Sequence, residues 1–376
     1  MAGSVGVTLG TGADTIPGLF PCHPPRCSGM SDRAVLLVNL GSPDTPSVPD
    51  VRRYLNEFLM DERVVDLPWA LRRFLVSVII LPRRPKASAE AYESIWTPEG
   101  SPLKVTTEAL ATALDEALPL PVRWAMRYGS PSIESVLREL AETGIKTLRY
   151  VPLYPHWAMS TTETSVVEAE RVLEKLGHPF ELEVQPPFYD DPEYIDALAE
   201  TARAHLQPDD HLLFSYHGLP ERQVRKCDPT GKHCLKTPNC CEVPSPAHGT
   251  CYRHQVYQTS KLLAEALGLG SDRWEVAFQS RLGGAKWIEP YTDEVLEALP
   301  KRGIKKLAVM CPAFVADNLE TLEEIGMQGR ETFEAAGGER YTLIPCLNAQ
   351  QSWVDSLARW CLDAEPRRTR THASES

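Results

Sequence analysis

The sequence predicts an α/β fold of two similar Rossmann-like halves, each a doubly wound parallel sheet, facing each other across a cleft. A repeat supports this, since the segment GIKTLRYVP at residues 144–152 recurs as GIKKLAVMCP at residues 303–312. Short apolar runs bounded by glycine or proline alternate with longer helical patterns, which favours parallel strands covered by helices. Similar helical stretches precede both copies, at residues 132–137 and 291–296. A site shared by the two halves is therefore expected.

The apolar runs predict eight strands, four in each half. In the first half they are expected at residues 34–40, 122–128, 147–153 and 181–185. In the second half they are expected at residues 211–216, 274–279, 306–311 and 341–344.

These strands divide the chain into four segments. The N-terminal half covers residues 30–190, and the C-terminal half covers residues 191–347 with a cysteine-rich insertion at 227–251. Residues 348–376 are expected to form an amphipathic helix at 352–362 and then a frayed tail. Residues 1–29 are rich in Gly, Pro, Thr and Ser, so we expect them to be disordered or not translated, with Met30 as the working start.

Composition excludes several classes of protein. The chain has 376 residues, 43% hydrophobic and 24% charged, which suits two globular domains. A net charge of −12 argues against nucleic acid as the main partner, because binding it needs a concentrated basic face. No apolar run has the length of a membrane span, and the first 29 residues lack a signal-peptide pattern. We expect a cytoplasmic protein, with association to a membrane surface left open.

Ligands of open parallel sheets bind beyond the carboxyl ends of the strands, which fixes where chemistry is expected. His217 lies at such an end, directly before Gly218 and close to Pro220. A histidine there can act as a base or as a metal ligand at neutral pH. A structural histidine bonded to a backbone carbonyl is the competing interpretation.

Asp317, Glu320 and Glu324 recur at spacings of three and four residues, so they share one face of a helix. A line of carboxylates beside a cleft is suited to passing protons or guiding a cation. Two structural interpretations compete with this one. Asp317 and Glu320 have the spacing of a capping box, and all three acids also fit a solvated helix face.

An apolar segment, Phe74 to Leu81, lies between two basic pairs, Arg72-Arg73 and Arg83-Arg84. We call residues 74–81 the apolar lip. The segment fits a buried helix with solvated ends, the edge of a greasy pocket with a basic rim, or a membrane-surface contact. In a chain of negative net charge, the concentrated arginines favour an anionic ligand.

Five of the ten cysteines lie in residues 227–251, the cysteine loop: Cys227, Cys234, Cys240, Cys241 and Cys251. Without a secretion signal, clustered cysteines indicate a metal rather than disulfides. The loop is too polar to fold by burial, so metal ligation would supply its order. Four thiolates hold zinc or an iron–sulfur cluster, and the absence of C-x2–4-C pairs favours a [2Fe–2S] cluster with one of the adjacent cysteines spare. An inert flexible insertion is the alternative.

From about residue 34 to residue 362 the sequence resembles the ferrochelatase family, the terminal enzymes of haem synthesis. The segment LFSYHGLP at residues 213–220 matches the family signature around its active-site histidine. Further matches are LLVNLGSP at 36–43, RYG at 127–129, YP at 154–155, STT at 160–162, FQSR at 278–281 with Trp287, and residues 314–324. The resemblance implies two chelatase-type halves with a porphyrin between them.

The resemblance also implies a lyase that inserts Fe²⁺ into protoporphyrin IX and releases two protons, forming protohaem. His217 matches the family's metal ligand or proton acceptor, and Glu320 matches its partner carboxylate. Asp317 and Glu324 continue the acidic line as a proton or metal conduit. The residues expected to bind the porphyrin ring or its propionates are Leu40, Arg83, Arg84, Arg127, Tyr128, Tyr154, Ser160, Trp287 and Phe314.

Two features depart from the family pattern. Asn318 stands where many members have histidine, and the cysteine loop is an insertion. Animal members bind their cluster mainly through a C-terminal extension, whereas this chain has no cysteine after Leu362. The alternative functions are a ferrochelatase for coproporphyrin, a cobalt or nickel chelatase for another tetrapyrrole, and a porphyrin or haem carrier without catalysis.

Overall fold

The computed structural model describes residues 31–281, 283–363 and 366. The segment predicted to be disordered or untranslated, its Met30 start and nearly all of the predicted frayed tail lie outside the described residues.

The described chain contains eight strands, as the sequence predicts. They are β1 Arg33–Gly41, β2 Val122–Tyr128, β3 Thr147–Pro152, β4 Glu181–Val184, β5 His211–His217, β6 Trp274–Gln279, β7 Lys306–Met310 and β8 Arg340–Leu343. Each predicted boundary is within about one residue of the observed one, because glycine and proline end most of the apolar runs.

The strands form two four-stranded parallel sheets with the same topology. The order is β2-β1-β3-β4 in the first sheet and β6-β5-β7-β8 in the second. All pairings are parallel, and β1 and β5 hold the corresponding inner positions. The duplication read from the sequence, and with it the predicted fold class, is confirmed.

Helices connect the strands and cover the sheets. The α-helices are α1 Val48–Leu59, α2 Trp69–Phe74, α3 Arg84–Ile95, α4 Pro102–Ala117, α5 Ile133–Glu142, α6 Thr164–Leu176, α7 Pro192–His205, α8 Glu221–Lys226, α9 Tyr252–Ala266, α10 Thr292–Lys301, α11 Arg330–Ala335 and α12 Gln351–Leu362. Three segments are π-helical, Leu75–Ile80, Met159–Glu163 and Glu320–Gly329, and Pro246–Gly249 is a 3₁₀ helix.

One apolar core joins the two halves. It contains Leu37 of β1, Phe214 of β5 and Trp353 of α12, all fully buried. The predicted terminal helix is confirmed as α12, whose Trp360 donates a hydrogen bond to Glu193 of α7 at 2.9 Å. The terminal helix thus closes the shared core, and this core fixes the two sheets relative to each other.

Candidate active site

His217 is the last residue of β5, where the sheet opens onto the cleft. Its Nδ1 lies 2.7 Å from the carbonyl oxygen of Gly218. A carbonyl only accepts, so Nδ1 carries the proton and the lone pair of the neutral ring is on Nε2. The bond to a backbone carbonyl, expected of a structural histidine, is present, and it leaves the basic nitrogen free to react.

Glu320 begins the π-helix Glu320–Gly329 and is partly buried. Burial raises the pKa of its carboxyl, while the charge of His217 lowers that pKa and Glu324 raises it. Gln279, at the end of β6, donates a hydrogen bond to the Glu320 carbonyl at 3.2 Å. Imidazole and carboxyl are therefore close enough to influence each other's charge, and the carboxyl holds a proton more readily than an exposed one.

Two buried tyrosines of the first half lie within reach of the Glu320 charge. Burial raises the pKa of Tyr54 on α1 and of Tyr92 on α3, and the charge of Glu320 raises both further. Leu319, beside Glu320, packs into the same apolar cluster as Leu40. The histidine–carboxylate pair therefore lies between the halves. Sequence reasoning missed both tyrosines, since a helical tyrosine at apolar spacing gives no signal beyond that of a core residue.

The other two carboxylates are held by the protein. Glu324 accepts hydrogen bonds from the backbone N–H of Ser280, at 2.8 Å, and from its hydroxyl. Asp317 is buried and accepts from Asn348 at 2.7 Å and Thr321 at 3.0 Å. The acids are not a solvated face: Glu324 fixes the end of β6, and Asp317 fixes the segment after β8.

The helix start differs from the predicted capping box. Asn318 and Thr321 form the reciprocal pair, because the Asn318 side chain accepts from the Thr321 N–H and Thr321 Oγ1 accepts from the Asn318 N–H, both at 3.0 Å. The prediction that Asp317 and Glu320 form the box is wrong by one residue. The shift leaves the Glu320 carboxyl free of a capping role, and it gives Asn318 a structural one.

The candidate arginines have different surroundings. Arg83 and Arg84 are exposed at the end of the apolar lip, and Arg83 donates a 3.4 Å hydrogen bond to the Ile79 carbonyl. Arg127 instead pairs with Asp61 at 2.7 Å and donates to Thr164 at 2.9 Å. Its charge is therefore neutralised inside the first half.

The remaining candidates surround the cleft in several environments. Tyr128 is buried and donates to Asp61 at 2.9 Å, whereas the buried Tyr154 hydroxyl has no hydrogen-bond partner among residues 31–281 and 283–363. Ser160 lies in the π-helix Met159–Glu163, Trp287 has its ring 6.4 Å from that of His217, and Phe314 packs on the core of the second half. All three π-helices thus coincide with candidate site segments, where such helices are frequent.

The apolar lip is buried on one face, where Val76 and Leu81 join a core cluster, and exposed on the other, so its interpretation as an ordinary buried helix holds for one face only. On the exposed face Phe74 is 58% exposed, Val78 54% and Ile79 45%, and Trp69, earlier in α2, is 66% exposed. Within the described part of the chain, no helix has the length and apolar character needed to cross a membrane.

The cysteine loop is packed against the protein rather than loose. Cys234, Cys240 and Cys251 are buried, and Cys234 and Cys251 belong to the shared core. Hydrogen bonds from the thiols of Cys234 and Cys241 lower the pKa of Cys251 to about 3. Burial raises the pKa of Cys227 to about 12, with a further contribution from Cys251.

A cation accompanies these thiols. Arg253 lies 3.5 Å from Cys241 Sγ and 3.8 Å from Cys240 Sγ. Among the described residues, no group of three or more His, Cys, Asp or Glu side chains is already arranged around a single metal position. The loop nevertheless brings five thiols and a cationic side chain into one segment, and these are the residue types that a thiolate-bound centre uses.

The two-sheet architecture is that of the chelatase fold seen in two solved structures. The fold is similar to SirB from Bacillus subtilis with Fe³⁺, with a TM-score of 0.51 at 14% identity, covering 87% of this chain and 93% of that one. It is also similar to the sirohydrochlorin chelatase SirB from Bacillus subtilis subspecies spizizenii in complex with cobalt, with a TM-score of 0.50 at 11% identity, covering 87% and 92%.

Sequence comparison is more specific. The ferrochelatase family model matches residues 32–364. The ferrochelatase of Azotobacter vinelandii is 56% identical over 339 residues, covering 88% of this chain and 99% of that protein. The ferrochelatase of Pseudomonas syringae is 54% identical over 334 residues, covering 88% and 98%. The chain belongs to the ferrochelatase family, and it is a lyase of haem biosynthesis that inserts iron into porphyrin.

Proposed function

We propose that the cleft inserts Fe²⁺ into protoporphyrin IX through His217 and Glu320. The observation that supports this most is that the charge of His217 acts on the Glu320 carboxyl, whose pKa is raised by burial and whose own charge acts on Tyr54 and Tyr92 of the other half. Metal insertion removes two pyrrole protons, so a base must be near the ring face. The lone pair of His217 Nε2 provides that base, or the first ligand for the incoming metal.

Protons then leave along the acidic helix. Burial raises the pKa of the Glu320 carboxyl above its ordinary value, which makes it a better proton acceptor than an exposed carboxylate. Glu324 is next in line and contacts Ser280 at the end of β6. We assign Asp317 a supporting role in this conduit, because its hydrogen bonds hold the start of the same helix.

The porphyrin ring needs an apolar slot and its propionates need cations. Leu40, Trp287 and Phe314 supply apolar surface at the cleft, and distortion of the bound ring would expose a pyrrole lone pair to the metal. Arg83 and Arg84 are the propionate partners we favour, because neither is neutralised by an ion pair in the described structure. Arg127 and Tyr128 shape the slot through Asp61, and Tyr154 and Ser160 offer hydroxyls.

We further propose that the apolar lip contacts a membrane surface. Its exposed apolar side chains lie beside Arg73, Arg83 and Arg84, a combination suited to anionic lipid. Binding to anionic vesicles that is lost in Phe74→Asp, and retained in a Val48→Asp control on α1, would support it. Equal binding by both variants would contradict it. A cytoplasmic location stays a prediction of the sequence.

We propose that the cysteine loop holds a [2Fe–2S] cluster through Cys227, Cys234, Cys241 and Cys251, with zinc as the alternative occupant. Cys251 is central because it is buried in the same core cluster as Cys234, and because the thiols of Cys234 and Cys241 lower its pKa. Cys240 is then the spare cysteine, and its sulfur accepts the Leu235 N–H at 3.4 Å. The loop is separate from the His217–Glu320 pair, so the centre would stabilise or regulate rather than react.

An anaerobic assay tests the catalytic proposal. The protein is mixed with Fe²⁺ and either protoporphyrin IX or coproporphyrin, and the absorption spectrum is followed. We expect faster conversion of protoporphyrin to haem. Binding of porphyrin without conversion to haem would contradict the catalytic proposal and favour a porphyrin carrier. Faster conversion of coproporphyrin would support the catalysis and change only the assigned substrate.

A further inference from the structure

A direct connection runs from the cysteine loop to His217. Helix α9 begins immediately after Cys251, and its first residue, Tyr252, is buried. The Tyr252 hydroxyl donates a hydrogen bond of 2.8 Å to the carbonyl oxygen of His217. One side chain therefore joins the thiol at the head of α9 to the main chain at the end of β5.

The His217 carbonyl needs such a partner. Strand β5 pairs with β6 as far as His217 and Gln279, but its pairing with β7 ends at Phe214. The next N–H, that of Gly218, bonds to the Gln279 carbonyl at 2.8 Å, so the His217 carbonyl points to the opposite side, where no strand continues. The tyrosine hydroxyl replaces the missing strand bond at this residue.

The tyrosine itself is held firmly. Its ring packs edge-on against His156, with 5.8 Å between ring centroids. His156 is buried and lies 2.9 Å from Thr259 of α9. Gln255 of α9 donates to the carbonyls of His248 and Gly249, which fixes the chain just before Cys251. A movement of Cys251 is thus passed to Tyr252 rather than absorbed by a loose side chain.

We propose that Tyr252 is a positioning residue for metal insertion: its hydroxyl fixes the main chain of His217, and its place after Cys251 makes the position of His217 depend on the cysteine loop. This rests on the proposed role of His217. The His217→Ala variant tests that role separately, so a failure of the His217 role can be distinguished from a failure of the Tyr252 proposal.

The first test is Tyr252→Phe, which keeps the ring and removes the hydroxyl. We expect kcat to fall about tenfold, equivalent to about 1.4 kcal/mol, while KM for porphyrin changes less than about twofold. The matched control is Tyr150→Phe, because the buried Tyr150 hydroxyl donates to the Ser165 carbonyl at 2.9 Å in the other half. Equal kcat in the two variants, or a change in KM alone, would overturn the positioning role.

The second test is a double-mutant cycle for the link to the loop. Cys234→Ser changes a buried thiol in the same core cluster as Cys251, and Cys241→Ser, which changes the sulfur that Arg253 of α9 contacts at 3.5 Å, serves if the first variant does not fold. We expect either to lower kcat several-fold in the parent protein and much less in Tyr252→Phe. Cys361→Ala, a buried cysteine of α12, is the control without an effect on kcat. The link would be overturned if the loss of kcat in the double variant equalled the product of the two single losses. It would also be overturned if the cysteine variant kept the kcat of the parent.

Discussion

The two halves share a topology but differ at one corresponding position. The repeat and the strand registers align Leu40 with His217 and Gly41 with Gly218, at the ends of β1 and β5. In the first half the position holds Leu40, whose side chain packs against the apolar cluster that contains Tyr54 and Tyr92. In the second half it holds an imidazole with a free lone pair. Two halves of the same topology thus place an apolar side chain at this position in the first half and a base at the equivalent position in the second.

The connections that follow these strands differ in the same way. Between β1 and β2, the first half inserts α1 to α4 and the exposed apolar lip. Between β5 and β6, the second half inserts the cysteine loop and α9. Both insertions leave the sheets unchanged, because they begin where the strands end. The shared topology builds the cleft, and the two insertions give its sides different partners.

The largest expected effect on kcat is at His217, and it distinguishes this residue from Leu40, its equivalent in the first half. His217→Ala should lower kcat at least about 100-fold, since it removes the base, while porphyrin binding and folding are retained. Leu40→Ala should raise KM for porphyrin and leave kcat within a few-fold, because it removes only apolar surface. Anaerobic kinetics with porphyrin titrations measure both. Turnover of His217→Ala within a few-fold of the parent would contradict the difference in role between His217 and Leu40.

Much of this arrangement follows from sequence, and the failures have physical causes. The strands are predictable because apolar runs end at glycine or proline, as at Gly41. Which residue caps the helix that contains Glu320 is not predictable, because Asp317 and Asn318 are adjacent and both suit an N-cap. Arg127 reads as a free cation in the sequence, but its partner Asp61 is 66 positions away and only folding brings them together.

Glu320→Gln distinguishes a catalytic carboxyl from a structural one. Turnover should fall about 10–100-fold because the amide cannot accept a proton. A buried carboxyl whose pKa is raised favours the protonated folded state, so its contribution to stability is present at low pH and is lost as pH rises through the folded pKa. The neutral amide should therefore unfold at an equal or higher temperature than the parent near pH 8.

The control for that variant is Asn318→Ala, which removes the actual cap. Its free energy of unfolding should fall by about 0.5–2 kcal/mol, with a smaller loss of turnover than Glu320→Gln. Thermal unfolding and anaerobic kinetics on both variants give the comparison. A lower melting temperature with full turnover in Glu320→Gln would return Glu320 to a capping role.

Arginine variants compare the open side of the cleft with its interior. Arg84→Ala should raise KM for porphyrin about 5–10-fold without loss of stability, because the residue is exposed. Arg127→Ala should instead cost about 3–5 kcal/mol of stability, because it leaves Asp61 buried without its partner. Denaturant unfolding and KM separate the two. A large KM effect with unchanged stability in Arg127→Ala would show that it binds the propionate.

The smallest effect on turnover is expected for Cys240→Ser, the one cysteine of the loop that is assigned no ligand role. Cys227→Ser, Cys234→Ser and Cys251→Ser should each lose the visible absorption of a [2Fe–2S] cluster, whereas Cys240→Ser should keep it, because only its sulfur is assigned outside the ligand set. Anaerobic purification, bleaching by dithionite and acid-labile sulfide provide the measurement. Colourless protein with about one zinc per chain would show that the loop binds zinc and not a cluster. Loss of colour in Cys240→Ser, with colour retained in Cys241→Ser, would show that Cys240 is the ligand and Cys241 the spare cysteine.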